Sequence, residues 1–320
     1  MALARLAPDV SRARVQRLIA EGLVRLGDRA ARASARLRGG ERIDLEVPPP
    51  EPSRLEAQDL PLSVLHEDGR ILVLDKAAGM VVHPARGAPR STVVNALLHR
   101  LRAGGREEAA PPGPPLAPGQ PPPAARPLAA GLPRLGLVHR LDKVNSGCLV
   151  VAKDEAALAA LQAAFRGRSV EKVYLALCHG SLAQEGRIDT PYGRHPRDRK
   201  RFTGRVRAVR RAVTEWTVRE RFGDRATLAE VRLLTGRTHQ IRVHLSESGH
   251  PLLADPVYGG TRREARLPEG EPARRAAAEI GRQALHAWKL AFEHPAGGRV
   301  AFTAPVPADF LRALAALRRR

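Results

Sequence analysis

The run His139-Arg140-Leu141-Asp142-Lys143-Val144-Asn145-Ser146-Gly147 sets one carboxylate between basic residues, in a loop that feeds the apolar stretch Cys148-Leu149-Val150-Val151-Ala152. An acid carried to the end of a buried strand is costly unless it is paired or used, which makes Asp142 the candidate catalytic group. On its own, an Arg-x-Asp loop is more often a local ion pair. Other runs that could carry chemistry follow it: Glu171-Lys172-Val173-Tyr174-Leu175-Ala176, then Leu234 to Leu245 with His239 and Arg242, then Gly249-His250-Pro251, then Asp255-Pro256-Val257-Tyr258-Gly259. No second motif-borne carboxylate accompanies Asp142, Asp255 being the nearest contender, and this argues against simple glycoside hydrolysis by paired acids. His239, His244, His250, His286 and His294 match neither an HExxH nor a Cys-His signature, so no metal site is expected, and no other cofactor is called for. The densest basic tract, Arg194-His195-Pro196-Arg197-Asp198-Arg199-Lys200-Arg201 followed by Arg205, Arg207, Arg210 and Arg211, suits contact with phosphates.

Taken in order, these runs resemble the RluA family of RNA pseudouridine synthases, and the resemblance covers nearly all of residues 63–306 outside a proline-rich insert. The stretches Leu55 to Pro61, Val82-His83-Pro84 and Asn95 to His99 are similar to the RluD-like branch, which acts on large-subunit ribosomal RNA. The resemblance implies an isomerase that flips a uridine out of structured RNA, breaks its bond to ribose, turns the uracil and rejoins it through carbon, with no cofactor. It implies that Asp142 acts at the sugar or on a neighbouring proton, and that Arg242 pairs with Asp142 and keeps it ionised and oriented. Tyr174 then lies against the uracil and handles the late proton, and Arg140 fills the gap left by the flipped base. Arg194, His195, Arg199 and Lys200 become RNA contacts. Val144 and Asn145 stand where the family has an acid and then Thr, and Ala77 where it has Pro. The alternatives are a sister enzyme acting on another ribosomal site or on transfer RNA, and a non-catalytic ribosome-assembly factor that keeps the fold.

Composition agrees with a polyanionic partner. Across 320 residues, 54 Lys and Arg face 33 Asp and Glu, a net charge of +21. Heavy use of Ala, Gly, Pro and Arg points to a genome rich in guanine and cytosine, which explains Arg in place of Lys but not the excess of positive charge. Cys148 and Cys178 each sit in an apolar strand pattern, as buried thiols of a reducing cytoplasm do. Neither a leader nor an apolar run long enough to span a bilayer is visible, so a cytoplasmic monomer without membrane contact is expected.

The elements that must position these groups read as α+β with a largely antiparallel sheet. Ser11 is a candidate N-cap for a helix with Val15, Leu18 and Ile19 on one face, Arg12, Arg14 and Arg17 off that face, and Gly22 as its stop. Strands are expected at 23–26 and 43–47, and the layout resembles the S-four RNA-binding domain, with Arg12, Arg14 and Arg17 as RNA contacts. Its usual first helix is reduced to Met1 to Val10. The expected division is residues 1–50 for that domain, 51–62 for a linker and 63–320 for the catalytic domain, with a disordered Pro/Ala/Gly-rich insert near 103–133. Within the catalytic domain, 71–75 and 80–83 read as strands about a turn at 76–79, and Ser91 caps a helix bearing Val94, Leu97, Leu98 and Leu101. Asp154 caps a helix bearing Leu158, Leu161 and Phe165. Further strands are expected at 172–178, 213–222, 227–234, 286–292 and 299–302. A final helix from Ala308 carries Phe310, Leu311, Leu314 and Leu317.

Overall fold

The computed structural model describes residues 12–32, 35, 40–46, 56–84, 90–103 and 133–319. The chain divides into two compact units, Met1–Arg54 and Leu55–Arg320. Ser11, residues 51–55 of the expected linker and, apart from its ends, the proline-rich insert lie outside the described residues.

In the first unit, helix α1 (Arg12–Ala20) precedes strands β1 (Val24–Leu26), β2 (Arg29–Ala30) and β3 (Ile43–Leu45), which form an antiparallel sheet in the order β2-β1-β3. Gly22, at φ +76°, ends α1: its N–H donates to Ile19 O at 3.2 Å while Leu23 N–H donates to Leu18 O at 2.9 Å, a pairing that satisfies the last carbonyls of the helix. Leu18, Val24 and Ala31 form the small core. Arg12, Arg14 and Arg17 belong to α1, and their side chains lie outside the described residues.

The second unit is α+β, built on a nine-stranded sheet. Its strands are β4 (Ser63–Glu67), β5 (Ile71–Lys76), β6 (Ser146–Ala152), β7 (Glu171–His179), β8 (Glu185–Pro191), β11 (Arg211–Phe222), β12 (Ala226–Leu233), β13 (Leu285–Glu293) and β14 (Arg299–Thr303). They run in the order β4-β5-β6-β13-β7-β12-β11-β8, with β14 hydrogen-bonded to β13. Pairing is antiparallel except between β6 and β13, where His286 faces Ser146 and Ala287 faces Gly147. A separate short hairpin joins β9 (Gly193–Arg194) to β10 (Phe202–Thr203). Seven of seven residues in β6 are buried, as its unbroken apolar run requires of a strand covered on both faces. Helices α2 (Val93–Ala103) and α3 (Glu155–Gly167) supply Val93, Leu97, Leu158 and Leu161 to the core around β5 and β6.

Several local expectations needed correction. Residues 80–83 form no strand: Val81 makes a single bridge to Thr92, because β5 already has β4 and β6 on its two edges. The cap of α2 is Thr92, whose Oγ1 accepts the Asn95 N–H at 3.3 Å, and not Ser91. Asp154 does cap α3, its Oδ1 accepting Ala157 N–H at 2.8 Å. Helix α4 (Gln240–Glu247) and the short α5 (Gly260–Glu264) are followed by α6 (Pro272–Ile280), which the sequence reading missed. Its apolar stripe is Ala273, Ala276, Ala277 and Ile280, at helical spacing but small, and it packs on Phe310, Ala313, Leu314 and Leu317 of α7 (Ala308–Arg318). Leu311, named with Phe310, Leu314 and Leu317 on the final helix, is exposed.

Candidate active site

The loop ahead of β6 is fixed from three sides. Within it, Asn145 N–H donates to Asp142 O at 3.1 Å and closes a turn. From the end of β5, the buried Lys76 ammonium donates to Ala77 O at 2.7 Å, Met80 O at 2.9 Å and Lys143 O at 3.2 Å, and Gly79 N–H reaches Lys143 O at 2.9 Å. Burial first, then the charge of Arg282, pushes the Lys76 pKa down to about 8, with Asp142 and Asp75 opposing. The third side is the segment between α6 and β13. Arg282 grips Asp309 with Nε at 2.6 Å and Nη2 at 3.0 Å, and Nη1 donates to Val144 O at 3.0 Å. Gln283 Nε2 donates to Asn145 Oδ1 at 2.6 Å. Where the loop enters β6, Gly147 has φ +112°, and a Cβ there would lie 2.1 Å from Ala287 O, so the close β6–β13 crossing requires glycine.

This frame leaves Asp142 half-buried and its two oxygens unlike. Arg242 Nη1 stands 3.3 Å from Oδ2, Gln283 Nε2 3.5 Å and His239 Nε2 3.7 Å. Among the described residues no hydrogen bond reaches Oδ1. Arg242 is itself locked by the fully buried Asp255, with Nε to Oδ2 at 2.7 Å and Nη2 to Oδ1 at 2.9 Å, so it presents a fixed fork and not a mobile charge. Burial disfavours both charges of that pair, but their mutual hydrogen bonds win, holding Asp255 below the usual carboxyl range and raising Arg242. Helix α4 carries Arg242 and is anchored at its start by Gln240, which accepts from Thr235 Oγ1 and Arg237 N–H and donates to Val213 O and Thr214 Oγ1. Tyr174, on β7 opposite Val231, lines the same cleft, and its hydroxyl has no hydrogen bond among the described residues. Burial, and then the negative charge of Asp142, pushes the Tyr174 pKa up.

Asp142, Tyr174, Arg242 and the exposed Arg140 therefore meet at one cleft of about 1060 Å³. Its other cationic residues are Lys172 and Arg237, which lie in the runs quoted above but were given no role, and Arg166 and Arg168, which were not singled out. The two arginines stand at the end of α3, where a basic last turn is usually credited to the helix dipole, so no local signal marked them. Arg194, His195, Arg199 and Lys200 sit on the β9–β10 hairpin and line no part of this cleft. Arg194 donates to Arg199 O at 2.6 Å and lies over the Phe202 ring, while His195 Nδ1 accepts from Asp198 N–H at 3.1 Å. His195 borders a separate hollow of about 330 Å³ with Arg201 and Arg205. The histidines considered for a metal have protein partners: His239 with Tyr258, His244 with Thr214, His250 with His179 O, His286 with Ser146, and His294 with Asp68.

A family model described as RNA pseudouridylate synthase matches residues 70–247. The chain is 42% identical over 319 residues to a protein of Xanthomonas campestris pv. campestris named ribosomal large subunit pseudouridine synthase D, an alignment covering 99% of this chain and 87% of that protein. It is 44% identical over 314 residues to an uncharacterized RNA pseudouridine synthase of Chloroflexus aurantiacus, covering 98% of this chain and 87% of the relative. Among solved structures, human RNA pseudouridylate synthase domain containing 4 superposes with a TM-score of 0.56 at 26% identity, over 80% of this chain and 93% of that one. Matched by the model across more than half its length and by these relatives almost end to end, the chain belongs to the RNA pseudouridylate synthase family and is an RNA pseudouridine synthase.

Proposed function

We propose that this enzyme converts uridines of large-subunit ribosomal RNA to pseudouridine, with Asp142 as the group that acts at the uridine. The observation that carries this reading is the asymmetry at Asp142. Its Oδ2 faces Arg242, Gln283 and His239, while Oδ1 has no hydrogen bond among the described residues. A carboxylate held by one oxygen keeps the other for a reacting atom. The bond from C1′ to N1 breaks, the uracil turns, C5 bonds to C1′, and the C5 proton leaves as N1 gains one, so the product is an isomer and no oxidant or reductant is consumed.

Tyr174 is the group beside the uracil, its hydroxyl handling the late proton. Arg140, exposed at the cleft mouth, is placed to stack in the space vacated by the flipped base. Arg140, Arg166, Arg168 and Arg237 supply positive charge along the RNA path, the β9–β10 hairpin adds Arg194, His195, Arg199 and Lys200, and the S-four-like first unit adds Arg12, Arg14 and Arg17. Val144 and Asn145 do not empty the catalytic loop: Val144 O takes the Arg282 bond and Asn145 takes the Gln283 bond, which supports an active enzyme over a silent assembly factor. The names of the relatives support the ribosomal target. No described helix is long and apolar enough to cross a membrane. A cytoplasmic enzyme working as a monomer is part of the proposal.

Mapping pseudouridines across all stable RNA in a strain lacking this gene tests the reading. Loss of one or more sites in large-subunit ribosomal RNA is expected, restored by the wild-type gene. Loss confined to transfer RNA would overturn the target.

A further inference from the structure

His239 stands 3.7 Å from Asp142 through Nε2, and its place there is not explained by helix capping. It occupies the N-cap of α4 at φ +59°, in the left-handed region, and its side chain makes no capping bond. A residue other than glycine persists in that region where its surroundings over-determine it. Here the surroundings are aromatic: Phe202 lies edge-on to the imidazole at 5.7 Å and Tyr258 at 5.6 Å.

The second ring nitrogen settles where the proton is. Nδ1 lies 2.9 Å from the Tyr258 hydroxyl, and that hydroxyl already accepts the Phe202 main-chain N–H at 2.9 Å. The hydroxyl proton needs an acceptor, and among the described residues Nδ1 is the one within reach. Nδ1 therefore accepts, and the neutral ring carries its proton on Nε2, the nitrogen facing Asp142.

We propose that His239 is a positioning residue for Asp142, held as its Nε2–H tautomer by the Tyr258 hydroxyl, so that a neutral N–H and the Arg242 guanidinium together fix Oδ2 and leave Oδ1 to the uridine. The proposal rests on Asp142 being the reacting carboxylate. The charged groups facing the ring are Asp142, Arg242, Asp255 and Arg140, and the Tyr258 phenol is its titratable hydrogen-bond partner. Burial holds the imidazole pKa below its ordinary value, with Asp142 opposing, so the ring stays a neutral donor at neutral pH. Protonating Nδ1 would turn a donor toward the Tyr258 hydroxyl, which already receives the Phe202 N–H, and the hydroxyl proton would have no acceptor among the described residues. Phe202 begins β10, so the basic hairpin seats the hydroxyl that sets the tautomer.

Nitrogen-15 NMR of the histidine-labelled full-length protein, with the His239 signals assigned by their loss in His239→Gln, reads the tautomer directly. A protonated Nε2 beside a bare Nδ1 is expected at neutral pH, and in Tyr258→Phe a fraction carrying the proton on Nδ1 should appear. A Nδ1–H or doubly protonated ring in the wild type would overturn the proposal whichever RNA is modified. Tritium release from unmodified large-subunit ribosomal RNA labelled at uridine C5 then reads the consequence. His239→Gln sets an amide N–H where Nε2–H stands and should keep the single-turnover rate within a few-fold, with the imidazole-dependent acid limb of the pH profile gone. The 3.7 Å approach is longer than a hydrogen bond and has to close when RNA is bound; His239→Ala should then lose roughly ten- to a hundredfold, the range of one hydrogen bond to a charged group, with an unchanged melting midpoint. Wild-type turnover in His239→Ala, or an equal loss in Ala and Gln variants, would contradict the proposal. A wild-type enzyme silent on this RNA but with the expected tautomer would instead count against the ribosomal target.

Discussion

At the residue scale, groups that reacting atoms touch are distinct from groups that hold them. Asp142 was marked by its setting, an acid at the mouth of a buried strand, whereas Arg242 and Tyr174 were named through the family resemblance of their runs. Lys76 and Gln283 were given no role, and His239 was weighed only as a metal ligand. Gln283 is 141 positions from Asp142, and nothing local to it announces a partner. Asp255, the nearest contender for a second acid, is taken up by its bidentate grip on Arg242. Tyr174→Phe tests the division. The lost hydroxyl makes no described hydrogen bond, so the melting midpoint should hardly move, while turnover should fall roughly a hundredfold, the scale of a lost general acid or base. Wild-type single-turnover rates would leave Tyr174 as a wall of the pocket.

At the element scale, the site depends on the one parallel pairing in the sheet. The catalytic loop enters β6 beside β13, so the segment between α6 and β13 brings Arg282 and Gln283 onto the loop. The apolar runs of β6, β7, β12 and β13 were readable, since their periodicity is strong. Pairing partners were not, which is why 80–83 was read as a strand although β5 has no free edge to offer it. Helix α6 was missed because its buried stripe is three alanines and one isoleucine among charged residues, a weak signal until α7 covers it. Gly147→Ala should destabilise the catalytic unit by more than the roughly 1–3 kcal/mol of an unfavourable backbone region alone, because its methyl would overlap Ala287 O as well. Chemical denaturation reads this directly, and a change within error would mean that the β6–β13 crossing is looser than described.

At the scale of the whole molecule, the same burial that shapes the site makes stability depend on pH. Burial holds the His139 pKa down to about 3 and those of His244 and His286 down to about 4, below the ordinary value of 6.5. Between those limits the unfolded chain binds protons that the fold refuses, so stability is fully present above about pH 6.5 and falls as pH drops. Each histidine contributes a slope of up to about 1.4 kcal/mol per pH unit. Urea unfolding between about pH 7.5 and 5 should show a falling midpoint, and a flat profile would mean that these rings ionise freely in the fold. Net charge of +21 was legible from composition, but its distribution around the cleft was not. Removing residues 1–54 should weaken RNA binding and make its salt dependence shallower, because fewer phosphates are neutralised. Unchanged binding would take the first unit out of RNA recognition.

We propose that Asp142, held by Oδ2 and without a described hydrogen bond at Oδ1, carries the isomerisation. Asp142→Asn keeps the volume and leaves the Arg242–Asp255 pair intact, so the variant should fold and bind large-subunit ribosomal RNA as the wild type does. Its single-turnover tritium release from that RNA, labelled at uridine C5, should fall to background. Release within about tenfold of the wild-type rate, a barrier change of only about 1.4 kcal/mol, would contradict the account.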